Sequence, residues 1–522
     1  MVDLSRYQEM IRTHEWVVPE RYNVAADVAD KHPRDKLAMI WTDNSGADRR
    51  IFWGELQDLA AQFANRYAEM GVGEGDRVAI LLPPRPESAA AIVAVLKLGA
   101  IGVPMALLWS DDSLRYRLSD AGVRLLVTDE KNAARGLSGH AESTFVVSGP
   151  ESVSGCSTAF ETADTGAADP ALIYYTSGST GNPKGVVSPH RGLIGHNEFG
   201  YCQDLRDGET SYWMGDWAWG VYKILGPWRY GAVNFVYATE RRYDPEGLLA
   251  ALSRHQVSNL FVNPTGLRLM MREVPDAGRR FPQAFRVCCS ANEPLGEAES
   301  AWFTEQFGIP VLQNYGMTEA YPMAGNFLGV PAKPGSMGLP VPGWDVRVLD
   351  EHERELGPGE PGEICLRAGT NPQYPLGYWN RPEESARTFG GEWFHTGDAA
   401  YADADGYLFY LGRRDDLIKS SGYRISPAEV EEACVTHPAV LEAAVIGVPD
   451  PERGQRVKAF VIPEPGREAG AELAADIKEF VRANHSAFGY PKVIEFVDDL
   501  PRSQSGKVSR APLRARRPGT EY

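Results

Sequence analysis

Residues Tyr174–Gly185 read YYTSGSTGNPKG. Four hydroxyls (Thr176, Ser177, Ser179, Thr180), three glycines (Gly178, Gly181, Gly185) and one cation, Lys184, fall within ten residues. Glycines let a backbone turn tightly enough for successive N–H groups to point into one cavity, an arrangement that binds phosphate oxygens. The hydroxyls add neutral donors, and Lys184 adds a point charge. The spacing is not the G-x-x-x-x-G-K-[ST] of P-loop nucleotidases, because Pro183 precedes Lys184 and Gly185 follows it. The bland alternative, a solvated Ser/Gly linker, rarely combines Thr, Ser, Gly and Lys in this order. The stretch therefore predicts a polyphosphate-binding loop. Two other glycine-rich stretches do not. Gly71–Gly75 lies after a helix and before a strand, the wrong order for a dinucleotide fingerprint. Gly357–Gly362 reads as a hairpin link.

A loop of this kind must hang from a strand, and Ala171–Tyr175 reads as a strand end. Around it, helical and strand signals alternate. Phe52–Met70 has apolar residues at helical spacing, followed by a turn at Gly71–Asp76 and the apolar run Val78–Leu82. Leu248–His255 (helix), Asn259–Val262 (strand), a helix opening at Pro264, and Phe285–Ser290 (strand) repeat the pattern. Such alternation predicts an α/β fold, a large layered N-terminal domain with mostly parallel sheets. After Leu349 the style changes. Polar Glu351–Glu363 links Val346–Leu349 to Ile364–Arg367, as in an antiparallel hairpin. Beyond Arg413, a helix at Pro427–Thr436, strands at Ala443–Gly447 and Lys458–Ile462, a helix at Ala471–Asn484 and a strand at Val493–Val497 predict a small α+β C-terminal domain. The expected division is 1–412, a link at 413–416, and 417–522.

Two or three domains suit 522 residues. With 53 Lys+Arg against 70 Asp+Glu the net charge is −17, so nucleic acid and anionic membranes are poor partners. The start, Met1–Trp16, is polar, which favours a cytoplasmic protein. Ala89–Leu108 is long enough to span a bilayer. Lys97 at its middle, with Gly99, Gly102 and Pro104, argues instead for a buried helix, a turn and a short strand. Six cysteines without a CxxC pair read as reduced core thiols.

TSGSTGNPKG closely resembles the phosphate-loop signature of the adenylate-forming superfamily of acyl-CoA synthetases, adenylation domains and luciferases. The remaining motifs agree in order: NYGMTE at Asn314–Glu319, GSMG at Gly335–Gly338, TGD at Thr396–Asp398, GRRDD at Gly412–Asp416, SGYRI at Ser421–Ile425 and SGK at Ser505–Lys507. The spelling SSGYRISPAEVE and the late FGYPKVIEF are most similar to medium-chain acyl-CoA synthetases. The resemblance implies that a carboxylate attacks the α-phosphate of ATP, pyrophosphate leaves, and the acyl-adenylate passes to the thiol of coenzyme A. It places Thr176, Ser177, Gly178, Ser179, Thr180, Gly181 and Lys184 on the β- and γ-phosphates. Glu319 offers a hard oxygen for Mg²⁺, and Thr318 can touch the α-phosphate. Tyr315, beside Gly316, supplies a face for adenine, and Asn314 suits its edge. Asp398 would accept from the ribose hydroxyls, with Arg413 near ribose or phosphate. Lys507 becomes the catalytic lysine, and Arg424 lies near the acyl group and phosphates. Because Lys507 sits in the small domain, that domain must close for adenylation and then swing away about the hinge residue Asp415. Ser421, Gly422 and Tyr423 would line the pantetheine channel. Arg453, Tyr490 and Lys492 would meet the nucleotide of CoA.

One feature departs from the family, and a second marks the acyl pocket. Asn292 stands where a glycine usually precedes Glu293, which shortens the acyl pocket or makes it more polar. Trp213–Trp228 resembles the family's acyl-pocket helix, and carries Trp217, Trp219 and Lys223. Its aromatics suit an ordinary core helix equally well. A lone lysine among Trp, Tyr and Ile is costly to bury unpaired, so Lys223 either reaches water or meets a polar group of the substrate. The expected substrate is a small, aromatic or otherwise functionalised carboxylic acid. Delivery to a carrier-protein phosphopantetheine, activation of another oxyanion, transfer to an amine, or a non-catalytic nucleotide-binding module are the alternatives.

Overall fold

In the helix Trp53–Glu69, Trp53, Leu56, Ala60, Phe63, Ala64 and Tyr67 recur at helical spacing and form its buried face. The next helix, Pro86–Lys97, opens with proline at its first turn and is buried all round. Its Lys97 is tolerated there because Nζ donates to Asp30 at 2.6 Å and to Thr162 at 2.7 Å. A turn and the strand Ile101–Pro104 follow, as expected from the sequence. The computed structural model describes residues 2–43, 46–176, 182–238, 243–420, 423–451, 453–484, 489–502, 508–517 and 519–522, without the side chains of Trp219, Lys419, Tyr423 and Arg424. Among the described residues no helix is long and apolar enough to cross a membrane.

The chain packs as two compact units, Met1–Asp345 with Arg367–Phe394, and Val346–Leu366 with His395–Tyr522. This division groups Val346–Leu366 with the C-terminal part, so the expected link at 413–416 lies inside a unit.

The first unit holds two largely parallel sheets. One is nine-stranded, and its order runs Leu339–Pro340, Ala320–Gly325, Val311–Met317, Val287–Ser290, Asn259–Phe261, Thr210–Trp213, Val233–Ala238, Leu37–Asp43, Asp48–Phe52. Its central pairings are parallel, and antiparallel strands close both ends. The other is seven-stranded, with parallel pairs around Arg77–Leu81 and an antiparallel edge at Pro170–Tyr175, Gly185–Pro189 and Gly377–Tyr378. One core cluster joins Met39 and Val236 of the first sheet to Val78, Leu125 and Leu172 of the second through the two helices above. All six cysteines are buried free thiols.

The second unit has a four-stranded sheet, Val346–Leu349, Gly362–Arg367, Trp393–Ala402 and Leu408–Arg413. Its five-stranded sheet centres on the long antiparallel pair Val440–Asp450 and Gly454–Pro463, with Val493–Phe496 added in parallel. Helices Pro427–Val435 and Ala471–Asn484 pack their buried Val430, Cys434, Ile477 and Val481 against Val445, Val457 and Val461.

Candidate active site

Strand Pro170–Tyr175 leads into the phosphate-loop sequence and Gly185–Pro189 returns beside it, with Tyr175 opposite Gly185. Ser177, Gly178, Ser179, Thr180 and Gly181 lie outside the described residues. The base of the loop is closed by Thr176 N–H donating to the Lys184 carbonyl at 2.9 Å. A Cβ on Gly185 would stand 2.6 Å from Ile173 Cγ2, so only glycine fits there. Lys184 pairs with Glu384, and its Nζ lies 5.1 Å from the Tyr378 ring centroid. The Tyr378 hydroxyl in turn donates to Glu319 Oε1 at 3.0 Å. Burial and then the Glu319 charge push that phenol far above its ordinary range, so it remains a donor. One tyrosine thus brings together the cation and the carboxylate that the motifs assign to phosphate and metal. Exposed Thr318 and half-buried Glu319 occupy the turn between Val311–Met317 and Ala320–Gly325.

In open parallel sheets, ligands bind beyond the carboxyl ends of the strands. There the nine-stranded sheet aligns Trp213, Phe261, Cys289 and Leu312 on successive strands, with Ser290 opposite Gln313 one residue further on. Strand alternation puts Gln313 and Tyr315 on one face and Asn314 on the other. Asn314 is buried, neither amide atom has a hydrogen-bond partner among the described residues, and its Oδ1 crowds Gly325. Asn314 and Tyr315 therefore point to opposite faces of this strand. Gln313 is the polar neighbour on the Tyr315 face, and strand alternation in the sequence could have revealed it. At Gly316 a Cβ would meet the Ala320 carbonyl oxygen and Tyr321 Cδ2, both at 2.7 Å. Asn292 is exposed with φ +82°, a left-handed conformation that asparagine tolerates and glycine prefers.

The single helix expected over Trp213–Trp228 is a strand end, a short 3₁₀ turn at Trp217–Trp219 and a helix at Tyr222–Arg229. Gly215 (φ +130°) and Gly220 break the run, and Asp216 caps the 3₁₀ turn through Ala218 N–H at 2.9 Å. Trp217 is half-buried against the core, and the side chain of Trp219 lies outside the described atoms. The Lys223 stem packs on Gly220, where a Cβ would sit 2.7 Å from its Cγ and Cδ. Its Nζ stands 4.3 Å from the Phe261 centroid and 5.4 Å from that of Trp213, rings that stack on each other at 4.4 Å. Among the described residues it has no ion-pair partner. Burial lowers its pKa to about 8, against the pull of the Glu198 carboxylate. Glu198 itself is fully buried and held by His196 at 2.6 Å.

In the second unit, Asp398 and Arg413 face each other across an antiparallel pair, with Arg413 Nη1 donating to Asp398 Oδ1 at 3.0 Å. Gly397 between Thr396 and Asp398 has φ +73°, and a Cβ there would strike the Arg413 guanidinium at 2.6 Å. Thr396 Oγ1 donates to the Ile364 carbonyl at 2.8 Å and accepts from Asp398 N–H at 3.0 Å. Asp415 is exposed in the following turn, and its neighbour Asp416 is tied to Arg510 and Arg514.

Lys492 Nζ lies 3.1 Å from the Tyr490 centroid. The Tyr490 phenol falls below its usual range through a hydrogen bond from Lys492, with smaller contributions from Arg482 and Arg453. The sequence reading missed Arg482 and Lys478, although their i,i+4 spacing on one helix was visible. Ser421, Gly422 and Lys507 lie outside the described residues, as do the side chains of Tyr423 and Arg424. The backbone of Tyr423–Ile425 forms a strand, with Arg424 opposite Lys419.

Residues 25–379 match the AMP-binding enzyme family and residues 429–507 its C-terminal domain. The mitochondrial acyl-coenzyme A synthetase ACSM3 of Mus musculus is 32% identical over 98% of this chain and 93% of its own. The solved anthranilate CoA ligase AuaEII in complex with anthranoyl-AMP superposes with TM-score 0.85 at 29% identity, covering 95% of this chain and 98% of that one. ATP-bound MatB from Rhodopseudomonas palustris gives TM-score 0.84 at 28% identity, covering 94% and 98%. The chain therefore belongs to the AMP-binding enzyme family, close to the medium-chain acyl-CoA synthetases, and is an ATP-dependent, AMP-forming acid–CoA ligase.

Proposed function

We propose that the acid activated by this ligase is small and carries an aromatic ring or a polar substituent. The carrying observation is Lys223, a cation over the stacked Trp213–Phe261 pair with no ion-pair partner among the described residues. A linear alkyl chain packed on this half-buried lysine would offer its ammonium no hydrogen bond. A substituent that accepts a hydrogen bond would satisfy it. The anthranoyl group in the AuaEII complex is aromatic and substituted, which supports the same class.

In this reading the acid's carboxylate attacks the α-phosphate of ATP and pyrophosphate departs, a step that needs positioning and charge neutralisation more than covalent help. Thr176 to Gly181 and Lys184 hold the β- and γ-phosphates, and Thr318 meets the α-phosphate. Tyr315 stacks on adenine, with Gln313 beside it. Asp398 accepts from the ribose hydroxyls and Arg413 donates nearby. Glu319 fits Mg²⁺: its ionised oxygens are hard ligands, and the Tyr378 hydroxyl holds one of them in place. The ion would neutralise phosphate charge. Lys507 and Arg424 stabilise the attacking carboxylate and the α-phosphate. The segment 417–522 then rotates about Asp415, withdraws Lys507, and opens a pantetheine path along Ser421, Gly422 and Tyr423. Arg453, Tyr490 and Lys492, with Lys478 and Arg482, form the basic face for the CoA nucleotide.

Acid-dependent exchange of labelled pyrophosphate into ATP, run over a panel of acids, tests the substrate class. Substituted aromatic and short polar acids should exceed linear acids of six or more carbons. A clear preference for the linear acids would refute it.

A further inference from the structure

We infer that Glu363 is a positioning residue for ATP, holding the Asp398–Arg413 pair in the geometry that grips the ribose. The inference rests on the reading of Asp398 as the ribose acceptor. Glu363 sits on the strand Gly362–Arg367, remote in sequence from that pair, and no motif includes it. Its carboxylate is buried, 5% exposed, yet every oxygen is engaged. Oε1 accepts from Gly397 N–H at 2.8 Å, the residue before Asp398. Oε2 accepts from Arg414, the residue after Arg413, and from His395 Nδ1 at 3.0 Å. Arg414 N–H closes the ring by donating to the Gly397 carbonyl at 2.8 Å. One carboxylate therefore clamps the chain on both sides of the dyad. Asp398 and Arg413 stand at the end of a paired ladder, next to a β-bulge, where strand pairing alone leaves the turn least constrained. A buried ionised carboxylate is costly unless it is fully hydrogen-bonded, and here two of its three bonds, those from Gly397 and Arg414, fix residues adjoining the ribose pair. Such support of a contacting group by a second group behind it is how precise sites are held.

The test compares ATP with 2′,3′-dideoxy-ATP in acid-dependent pyrophosphate exchange. Glu363→Gln keeps size and removes charge. It should raise KM for ATP about tenfold, leave dideoxy-ATP turnover nearly unchanged, and spare thioester formation from supplied acyl-adenylate. The discrimination between the two nucleotides should shrink by the same factor. Equal losses with both nucleotides would make Glu363 a general structural support and overturn the inference. Should Glu363→Gln fail to fold, Arg414→Met removes one tether only and must show a smaller loss confined to ATP; no such loss also overturns it. Asp398→Asn separates the two failures. If it leaves nucleotide discrimination intact, the ribose reading falls; if it abolishes discrimination while Glu363→Gln does not, only the role of Glu363 falls.

Discussion

Replacing Lys223 with methionine should make the protein more stable and less able to use its own acid. Methionine keeps the length and apolar stem of lysine and loses the charge. The lysine pKa falls from 10.5 to about 8 on burial. At about 1.4 kcal/mol per unit, holding the ammonium charged in the folded protein costs up to about 3 kcal/mol, trimmed by the part of the side chain that reaches solvent. Cation–π contacts with Phe261 and Trp213, roughly 0.5–2 kcal/mol in total, offset part of that cost. Lys223→Met at pH 7 should therefore raise unfolding free energy by about 1–3 kcal/mol, measured by urea denaturation. The pH dependence follows. Between pH 8 and 10.5 the unfolded chain keeps a proton at this position that the folded chain has released. The group thus makes stability rise with pH across that window, and the methionine variant should lose that slope. Function moves oppositely. A charge-assisted hydrogen bond from Lys223 to the substrate is worth about 1.5–3 kcal/mol, so pyrophosphate exchange with the preferred acid should fall roughly 10- to 150-fold. Apolar acids of similar size should gain relative rank. In the wild-type enzyme the preference should fade as pH passes about 8, where the amine becomes neutral. An unchanged ranking across the acid panel would refute the substrate role, since a general effect of the substitution on the fold changes all acids together.

Lys507→Ala should reduce adenylation by about 10²–10³, the cost of one preorganised donor at a developing charge, while thioester formation from supplied acyl-adenylate survives; equal losses in both half-reactions of a folded variant would remove the catalytic assignment. Gly422→Leu should do the reverse, sparing pyrophosphate exchange and blocking CoA thioesterification, and a collapse of exchange would make Gly422 a structural turn. Asn292→Gly should relieve the φ +82° backbone without loss of stability and extend the acid series to longer chains; an unaltered chain-length profile in the panel would show that Asn292 does not border the acyl group.

Much of the fold was legible wherever local pattern and burial agree. The helix over Ala471–Asn484 forms between those residues, and the Ala89–Leu108 run divides at Gly99 as its breakers require. The segment Trp213–Trp228 was misread because aromatic spacing mimics a helix. Gly215, Gly220 and the Asp216 cap decide otherwise, and their effect depends on a strand ending at Trp213. Asn314 was read as suiting the adenine edge because its amide carries donors and acceptors; that it points to the face opposite Tyr315 follows only once the segment is known to be a strand. Glu363 could not be found by spacing. Its use depends on Gly362–Arg367 lying beside Trp393–Ala402, a tertiary pairing that leaves no local signature.

The two halves of the proposed site answer to different physics, which explains why the motifs spell out one and say little of the other. In the proposed reading every acid meets the same triphosphate, so Lys184, Glu319, Asp398 and Arg413 would face one charge distribution whatever the acid. The acyl end faces a group whose polarity differs from one ligase to another. The parallel order brings the carboxyl ends of Thr210–Trp213, Asn259–Phe261 and Val287–Ser290 together from distant parts of the chain, and in the proposed reading they would border that end. In that reading Lys223 and Asn292 both fall there. Each carries a cost in the free protein, a partly desolvated ammonium in one case and a left-handed asparagine in the other. Glycine at 292 or an apolar residue at 223 would remove those costs without touching the phosphate machinery. Strain and desolvation held at such positions make physical sense when the bound acid offsets them, which a polar or ring-bearing acid can do and a plain alkyl chain cannot.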